Sequence, residues 1–344
     1  MKNKLTGLLL IASSMALVSC GSKGIDMNNW RFSPKSEEKI AIGILQPLEH
    51  SALGAARDGF IAGLAESGYS EKLGNITINY QNANGVEADQ TTLAKSLVGG
   101  CDLTLGIGTG ASTALQAASI NSGNTNPILF TAVTDPVDAG LVDTNENPGG
   151  YITGTSDANP VEAQIALIKE CIPDITKIGI LYTQSETNSE VQARQAKAAA
   201  EKQNIEVVTK TCTDSSDLSS VANELIGNNG IQALYIPTDN NVAANFGPVK
   251  AALETYHVLC VAGEENMMKK GAHVTLSVDY EELGKKTAEM ALKIIKREAK
   301  PNELPVKTMS ITECGYVMCQ DNITNAGLTI PEEVANKCTN VQPE

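Results

Sequence analysis

The chain has 344 residues, 42% of them hydrophobic and only 4% aromatic, and a formal net charge of −14. That length supports two ordinary domains with separate cores, filled by Ile, Leu, Val and small residues rather than by rings. So acidic a surface repels nucleic acid, which needs a basic face, and its plainest consequence is solubility.

At the N-terminus Lys2 and Lys4 precede LLLIASSMALV, a run too short and too rich in small residues for a good spanning helix but laid out like an export signal. It ends in LVSC, residues 17–20, followed by Gly21. This resembles the bacterial lipobox, which makes residues 1–19 a lipoprotein signal peptide and Cys20 the lipidated (palmitate-bearing) N-terminus. The lipid would anchor the chain to a membrane on its extracytoplasmic face without spanning it. Residues 20–38 are polar and aperiodic and read as anchor and flexible tether, with Trp30, the one tryptophan, outside any core.

From residue 39 the pattern becomes βαβα. KIAIGIL (39–45) reads as a strand, and residues 51–68 as a helix with Ser51 as N-cap and Gly68 as stop. ITINY (76–80), a helix over 86–98, DLTLGI, a helix from about 110 and PILFTAV (127–133) follow. The rhythm then restarts 138 positions on: KIGILY (177–182), a helix over about 188–203, IEVVTK, a helix near 216–227, IQALYIPTD (231–239) and VLCVAGE (258–264). A duplication on this scale predicts an α/β fold of two similar open, doubly wound parallel-sheet lobes. In such sheets the loops after the strand C-termini line the crevice. Those loops are QPLEHS, GTGAS, TAVTDP, YTQSETNS, PTDNN and GEEN, rich in hydroxyls, amides and carboxylates and poor in Lys and Arg. The chain is expected to pass between lobes at 149–160, 276–286 and 306–316. Lobe 1 is then 39–155 plus about 281–311, and lobe 2 is 156–280 plus about 312–338.

Seven cysteines remain after Cys20. Cys101, Cys212 and Cys260 lie in or beside apolar runs and read as small buried hydrophobes. A local bridge between Cys314 and Cys319 is open. No CxxC or Cys/His spacing suggests zinc, and with three histidines a metal cluster is not expected. No GxSxG elbow, HExxH or other nucleophile–base arrangement supports catalysis, and no cofactor is expected.

The blocks GILQPLEHSALGAARDGF, LGIGTGAS, TAVTDPVDAGLV, PGGYITGTSD, YTQSETNSEVQ and YIPTDNNVA resemble the ABC-transporter substrate-binding lipoproteins associated with tryptophan and tyrosine uptake. The likeness spans about residues 38–338, and TAVTDPV with GLV and PTDN are its most specific parts. It implies a type I periplasmic-binding-protein fold with a three-strand hinge and a ligand in the inter-lobe cleft. The ligand is expected to be an amino acid, aromatic on the family's account, and the partners a membrane permease with its ATPase. A monomer is expected. A ligand-sensing receptor of the same fold, or a binder of a sugar or nucleoside, stays as the alternative.

LGIGTGAS at first looks like a phosphate loop. A Walker loop needs Lys after its last glycine, and here Gly110 is followed by Ala111 and Ser112. What remains is a helix start whose free amides suit a carboxylate, with Thr109, Gly110, Ala111 and Ser112 as the group. The same stretch also reads as a plain tight turn. Asp239 and Asn240 sit at the equivalent point of the second half, where Asp239 could receive an ammonium group or cap the next helix. Further candidates are Gln46 and His50 after the first strand, Thr134 and Asp135, and Ser156 and Asp157 at the first crossing. Ser185 and Asn188 follow, and then Asp279 with Tyr280 at the second crossing. Asp135, Asp157 and the SETNS group read equally well as turn formers or caps. Tyr182, Tyr280 or Phe130 could stack on a ring or lie in a core.

Overall fold

The computed structural model describes residues 26–344, so the expected signal peptide and Cys20 lie outside the described residues. In the first half β1 (Ile40–Gln46), α1 (Ser51–Glu66), β2 (Ile76–Asn82), α2 (Glu87–Gly100), β3 (Leu103–Ile107), α3 (Thr109–Ser122), β4 (Ile128–Thr131) and β5 (Ile152–Ser156) alternate as the pattern requires. The second half runs α4 (Val161–Cys171), β6 (Lys177–Thr183), α5 (Thr187–Lys202), β7 (Glu206–Cys212) and α6 (Leu218–Asn228). It continues through β8 (Ala233–Ile236), α7 (Asn240–Ala244), α8 (Gly247–Tyr256), β9 (Leu259–Ala262), α9 (Asn266–Lys270) and β10 (Val274–Ser277). Then come α10 (Tyr280–Ile295), β11 (Lys307–Thr308), β12 (Gly315–Met318), α11 (Gln320–Asn325), α12 (Glu332–Lys337) and β13 (Thr339–Asn340).

The first sheet has the order β11-β5-β4-β3-β1-β2 and the second β13-β12-β10-β9-β8-β6-β7. Every pairing is parallel except β10 with β12. The runs LTLGI and ILFT are buried along their whole length, as strands covered on both faces must be. The sheets assign the crossings. The chain leaves lobe 1 between β5 and α4, returns between β10 and α10, and leaves again between β11 and β12.

The return is fixed by close packing of α10 on α1. A Cβ on Gly59 would lie 2.0 Å from the Glu281 carbonyl oxygen, and one on Gly284 would lie 2.1 Å from that of Ala56. Two backbones approach here at a distance only glycine allows. Among the described residues no helix is long and apolar enough to cross a membrane.

Residues 26–38 overturn the tether expectation for that part of the segment. Met27, Trp30 and Phe32 are buried in the core of lobe 1, Trp30 only 9% exposed. The Trp30 indole N–H donates to the Thr125 carbonyl at 2.9 Å. The Lys35 backbone N–H donates to Asp102 Oδ1 at 2.8 Å, while Asp102 Oδ2 accepts from the N–H of Ala41 at the start of β1. Sparse apolar residues in a polar stretch carry no periodicity, yet three of them join the lobe 1 core.

The seven cysteines of the described region are free thiols. Cys101, Cys212 and Cys260 are buried as expected. Cys314 packs at the edge of the lobe 1 core and Cys319 is wholly buried in lobe 2, so those two do not pair.

Candidate functional site

The loops leaving the strand ends of the two sheets meet. His50, after β1, and Asn240, after β8, touch across the cleft, with Nε2 and Oδ1 3.0 Å apart. Asn159, at the first crossing, donates to Thr238 Oγ1 at 3.1 Å and accepts from the Val278 N–H at the second crossing. The two crossings and the second-lobe loop are thereby laced together beside the cleft.

On the lobe 1 side the helix start at Thr109 is present, and Gly108, at φ 80°, makes the turn into it. The amides of its first turn lack intrahelical acceptors. Gly110 is exposed and Thr109 is buried at 8% exposure, while Ala111 and Ser112 are shut off altogether. The Ser112 hydroxyl donates to the Gly108 carbonyl at 2.7 Å. Ser112 presses so closely on β3 that a Cβ on Gly106 would lie 2.6 Å from it. Gln46 is buried too, and its amide braces the loop by donating to Leu48 O and Glu49 Oε2 while accepting from Arg57.

Thr134, Ser156 and Asp157 form one buried group. Thr134 Oγ1 donates to Asp157 Oδ1 at 3.1 Å, Tyr280 Oη donates to Oδ2 at 2.7 Å, and Ser156 Oγ donates to the Thr134 carbonyl. Burial raises the Asp157 carboxyl against the pull of these bonds. It also pushes the Tyr280 phenol up, helped by the charges of Asp157 and Glu264. Tyr280 is thus tied into the hinge by its hydroxyl, and Phe130 is core.

Several candidates serve the backbone instead. Asp135 accepts from the N–H groups of Val137 and Asp138 and closes a turn. Asp279 is exposed and caps α10 through the Glu282 N–H. Ser185 is exposed, whereas Asn188 is buried and donates to the Thr238 carbonyl at 2.8 Å.

Asp239 is the main correction. It is 1% exposed, and both oxygens are spent: Oδ2 accepts from the Thr183 N–H at 2.6 Å, and Oδ1 from the Thr183 hydroxyl and the Val242 N–H, each at 2.9 Å. It caps α7 and pins that helix to the end of β6. Beside it Glu186 accepts from the N–H groups of Asn240 and Asn241 and from the Asn240 amide. Burial, and then the Asp239 charge, raise the Glu186 carboxyl.

One carboxylate not singled out from sequence has a free oxygen. Glu264, at the end of β9, is 1% exposed; Oε2 accepts from the Asn266 N–H at 2.7 Å, while Oε1 has no partner among the described residues. Desolvation raises its carboxyl to about 7, only partly opposed by the Asn266 bond. A buried acid with an open acceptor is costly unless a proton or a cation meets it. His50 Nδ1 is likewise buried without a partner, and burial lowers that imidazole despite its bond to Asn240. Gln192 Nε2 and Asn145 Oδ1, also unpartnered, line an inter-lobe cavity of about 130 Å3 together with Thr134, Ser156, Asn159 and Gln195. A larger depression of about 500 Å3, lined by Phe246, Lys250, Lys269 and Lys270, lies on lobe 2 and includes none of these residues. The signal for Glu264 was present in GEEN, the loop that follows β9. Gln192 and Asn145 had none, because only packing tells which amides lack partners.

A family model described as ABC transporter substrate binding protein matches residues 41–342. The chain is 35% identical over 317 residues, covering 91% of it and 90% of the relative, to a tyrosine-binding protein of Clostridioides difficile (strain R20291). It superposes with a TM-score of 0.81 on an ABC domain in complex with L-Trp from Streptococcus pneumonia, at 32% identity, covering 88% of this chain and 99% of that one. On the ligand-free, open structure of a Clostridium difficile substrate-binding protein with adhesive properties the TM-score is 0.67, at 34% identity, with 89% and 100% covered. The family is one of binding proteins, not enzymes, and its members take small-molecule ligands and work with ABC permeases. The two lobes, their three crossings and the polar cleft between them are those of a type I binding protein, and the chain belongs to the ABC transporter substrate-binding family.

Proposed function

We propose that the protein is the lipid-anchored, extracytoplasmic receptor of an ABC importer and binds an aromatic amino acid, tryptophan or tyrosine, as the zwitterion in the inter-lobe cleft. Support for the ligand class comes from a tyrosine-binding relative and an L-Trp-bound neighbour, each above 30% identity across most of the chain. Support for the anchor comes from LVSC at 17–20.

The observation that carries the zwitterion is the pairing of opposite preferences in the two lobes. Lobe 1 offers the first-turn amides of α3, around Thr109 and Gly110, for a carboxylate. Lobe 2 offers a buried carboxylate oxygen, Glu264 Oε1, that has no partner among the described residues. Asp239, the residue expected to take the ammonium, is consumed by its cap, and Glu264 takes over that role. An ammonium on Glu264 offsets the desolvation that otherwise keeps the group protonated.

Isothermal titration of the reduced, delipidated chain against L-Trp, L-Tyr, tryptamine, indole-3-propionate and a panel of sugars and nucleosides tests this. The amino acids should bind, and loss of either the amine or the carboxylate should weaken binding. Glu264→Gln should weaken L-Trp or L-Tyr at least about tenfold, as expected for a buried charge-assisted bond. Full affinity in that variant would sink the role of Glu264. A sugar or nucleoside response without an amino-acid response would sink the ligand class.

A further inference from the structure

We propose that Cys171 and Cys338 are a disulfide site that fastens the C-terminal strand of lobe 2 to helix α4. Cys171 ends α4, and Cys338 lies between α12 and β13. Both pack on the same apolar cluster, which includes Ile168, Ile175, Ile323 and Val334. The residues just before them are joined across the same gap, since Lys337 Nζ bonds Glu170 Oε2. Lys337 also lies over the Tyr316 ring, 4.2 Å from its centre, so the segment carrying Cys338 is held from two sides. The two thiols are near enough that the charge of one is felt by the other.

The remaining five lie outside that cluster. Cys101 is buried in the lobe 1 core, Cys212, Cys260 and Cys319 are buried in the other apolar cluster of lobe 2, and Cys314 belongs to lobe 1, where its thiol donates to the Ser310 carbonyl at 3.5 Å.

The chemistry is thiol–disulfide exchange with a small-molecule or protein disulfide as oxidant. The half-exposed Cys338 thiolate attacks one sulfur of the oxidant, forming a mixed disulfide and expelling one thiolate. Cys171, once deprotonated, attacks the Cys338 sulfur and expels the second. Two protein thiols lose two protons and two electrons, and the oxidant becomes two thiols. Burial pushes the Cys171 thiol up to about 12, and the Cys338 thiol is raised as well. Exchange is therefore slow near neutrality and quickens as pH rises, because the thiolate is the reacting form. An extracytoplasmic location, as proposed above, is where such an oxidant is met. The bond would close a covalent loop around nearly all of lobe 2 and restrict its unfolded chain.

The test uses the chain from residue 21 onward, reduced, freed of reductant and incubated with oxidised glutathione at mildly alkaline pH. Free thiols are then alkylated and the protein is digested for mass spectrometry. The expected result is the loss of two hydrogens and one cross-linked species joining the Cys171 and Cys338 peptides. It should form in Cys314→Ser and be missing in Cys338→Ser, and the melting temperature should rise on oxidation in the parent but not in Cys338→Ser. A lasting glutathione adduct on Cys338, a cross-link between any other pair, or two thiols that stay fully alkylatable would each overturn the proposal.

Discussion

At the scale of single residues, Glu264 and Asp239 show how burial divides carboxylates between binding and structure. Glu264 in the folded protein is raised from 4.5 to about 7 by burial. A ligand ammonium favours its anion, so amino-acid binding should tighten as pH rises from about 6 to 8 while the ligand amine stays charged. Titration across that range should show this slope, with proton release on binding, and Glu264→Gln should flatten it; a parent affinity independent of pH would refute the ammonium contact. The stability linkage has the same origin. The folded state holds a proton that the unfolded state has already lost, so apo stability falls as pH climbs between the two values, by up to about 3 kcal/mol from this group. Asp239 makes the opposite kind of prediction. Asp239→Ala removes the acceptor of two Thr183 donors and of the Val242 N–H, all buried. It should cost the apo protein about 3 kcal/mol in chemical denaturation. Unchanged apo stability with lost binding would restore it as a ligand residue. Sequence alone could not divide these roles. An Asp at a strand end before a helix is the same pattern in either case, and only the position of Thr183 on the neighbouring strand tells which donors reach it.

At the scale of elements, most of the architecture was legible because strands buried on both faces and helices between them leave a strong periodic signal. KIAIGIL and KIGILY became β1 and β6 to within a residue or two, as did the others, except that IQALYIPTD runs three residues past the end of β8. Two features had no periodic signal. The segment 26–38 docks through isolated side chains, and the α1–α10 contact depends on what two glycines leave out. Gly59 sits within SALGAARDGFIAGLAESG, where it looks like an ordinary weak point in a helix; its purpose appears only when the Glu281 carbonyl is found against it. Because α10 returns directly from the second crossing, this contact also holds the hinge. Gly284→Ala should push the helices apart, at about 1–3 kcal/mol for overpacking and more for a backbone clash. The measurement is the denaturant midpoint beside that of Gly315→Ala, where a Cβ meets nothing within 4 Å. Equal midpoints for the two variants would mean that α10 shifts freely and the glycine contact is not a constraint.

At the scale of the whole molecule, binding is coupled to the arrangement of the lobes, and the His50–Asn240 bond is a specific inter-lobe contact available to bias it. The bond reaches further into lobe 2 through Glu186, which holds the Asn240 amide and backbone N–H. A hydrogen bond made only on closure contributes about 1 kcal/mol, which shifts the closed-to-open ratio about fivefold. Apparent ligand affinity should follow that ratio when the closed form is the minor one. His50→Ala should therefore weaken L-Trp or L-Tyr about fivefold without touching the ligand. Asn240→Ala should cost at least as much, since it also removes the amide bond to Glu186, and the double variant should be no worse than Asn240→Ala alone, because the inter-lobe bond is already lost there. Additive losses would mean that each residue meets the ligand separately, and His50 and Asn240 would then belong to the binding surface rather than to the closure that completes it.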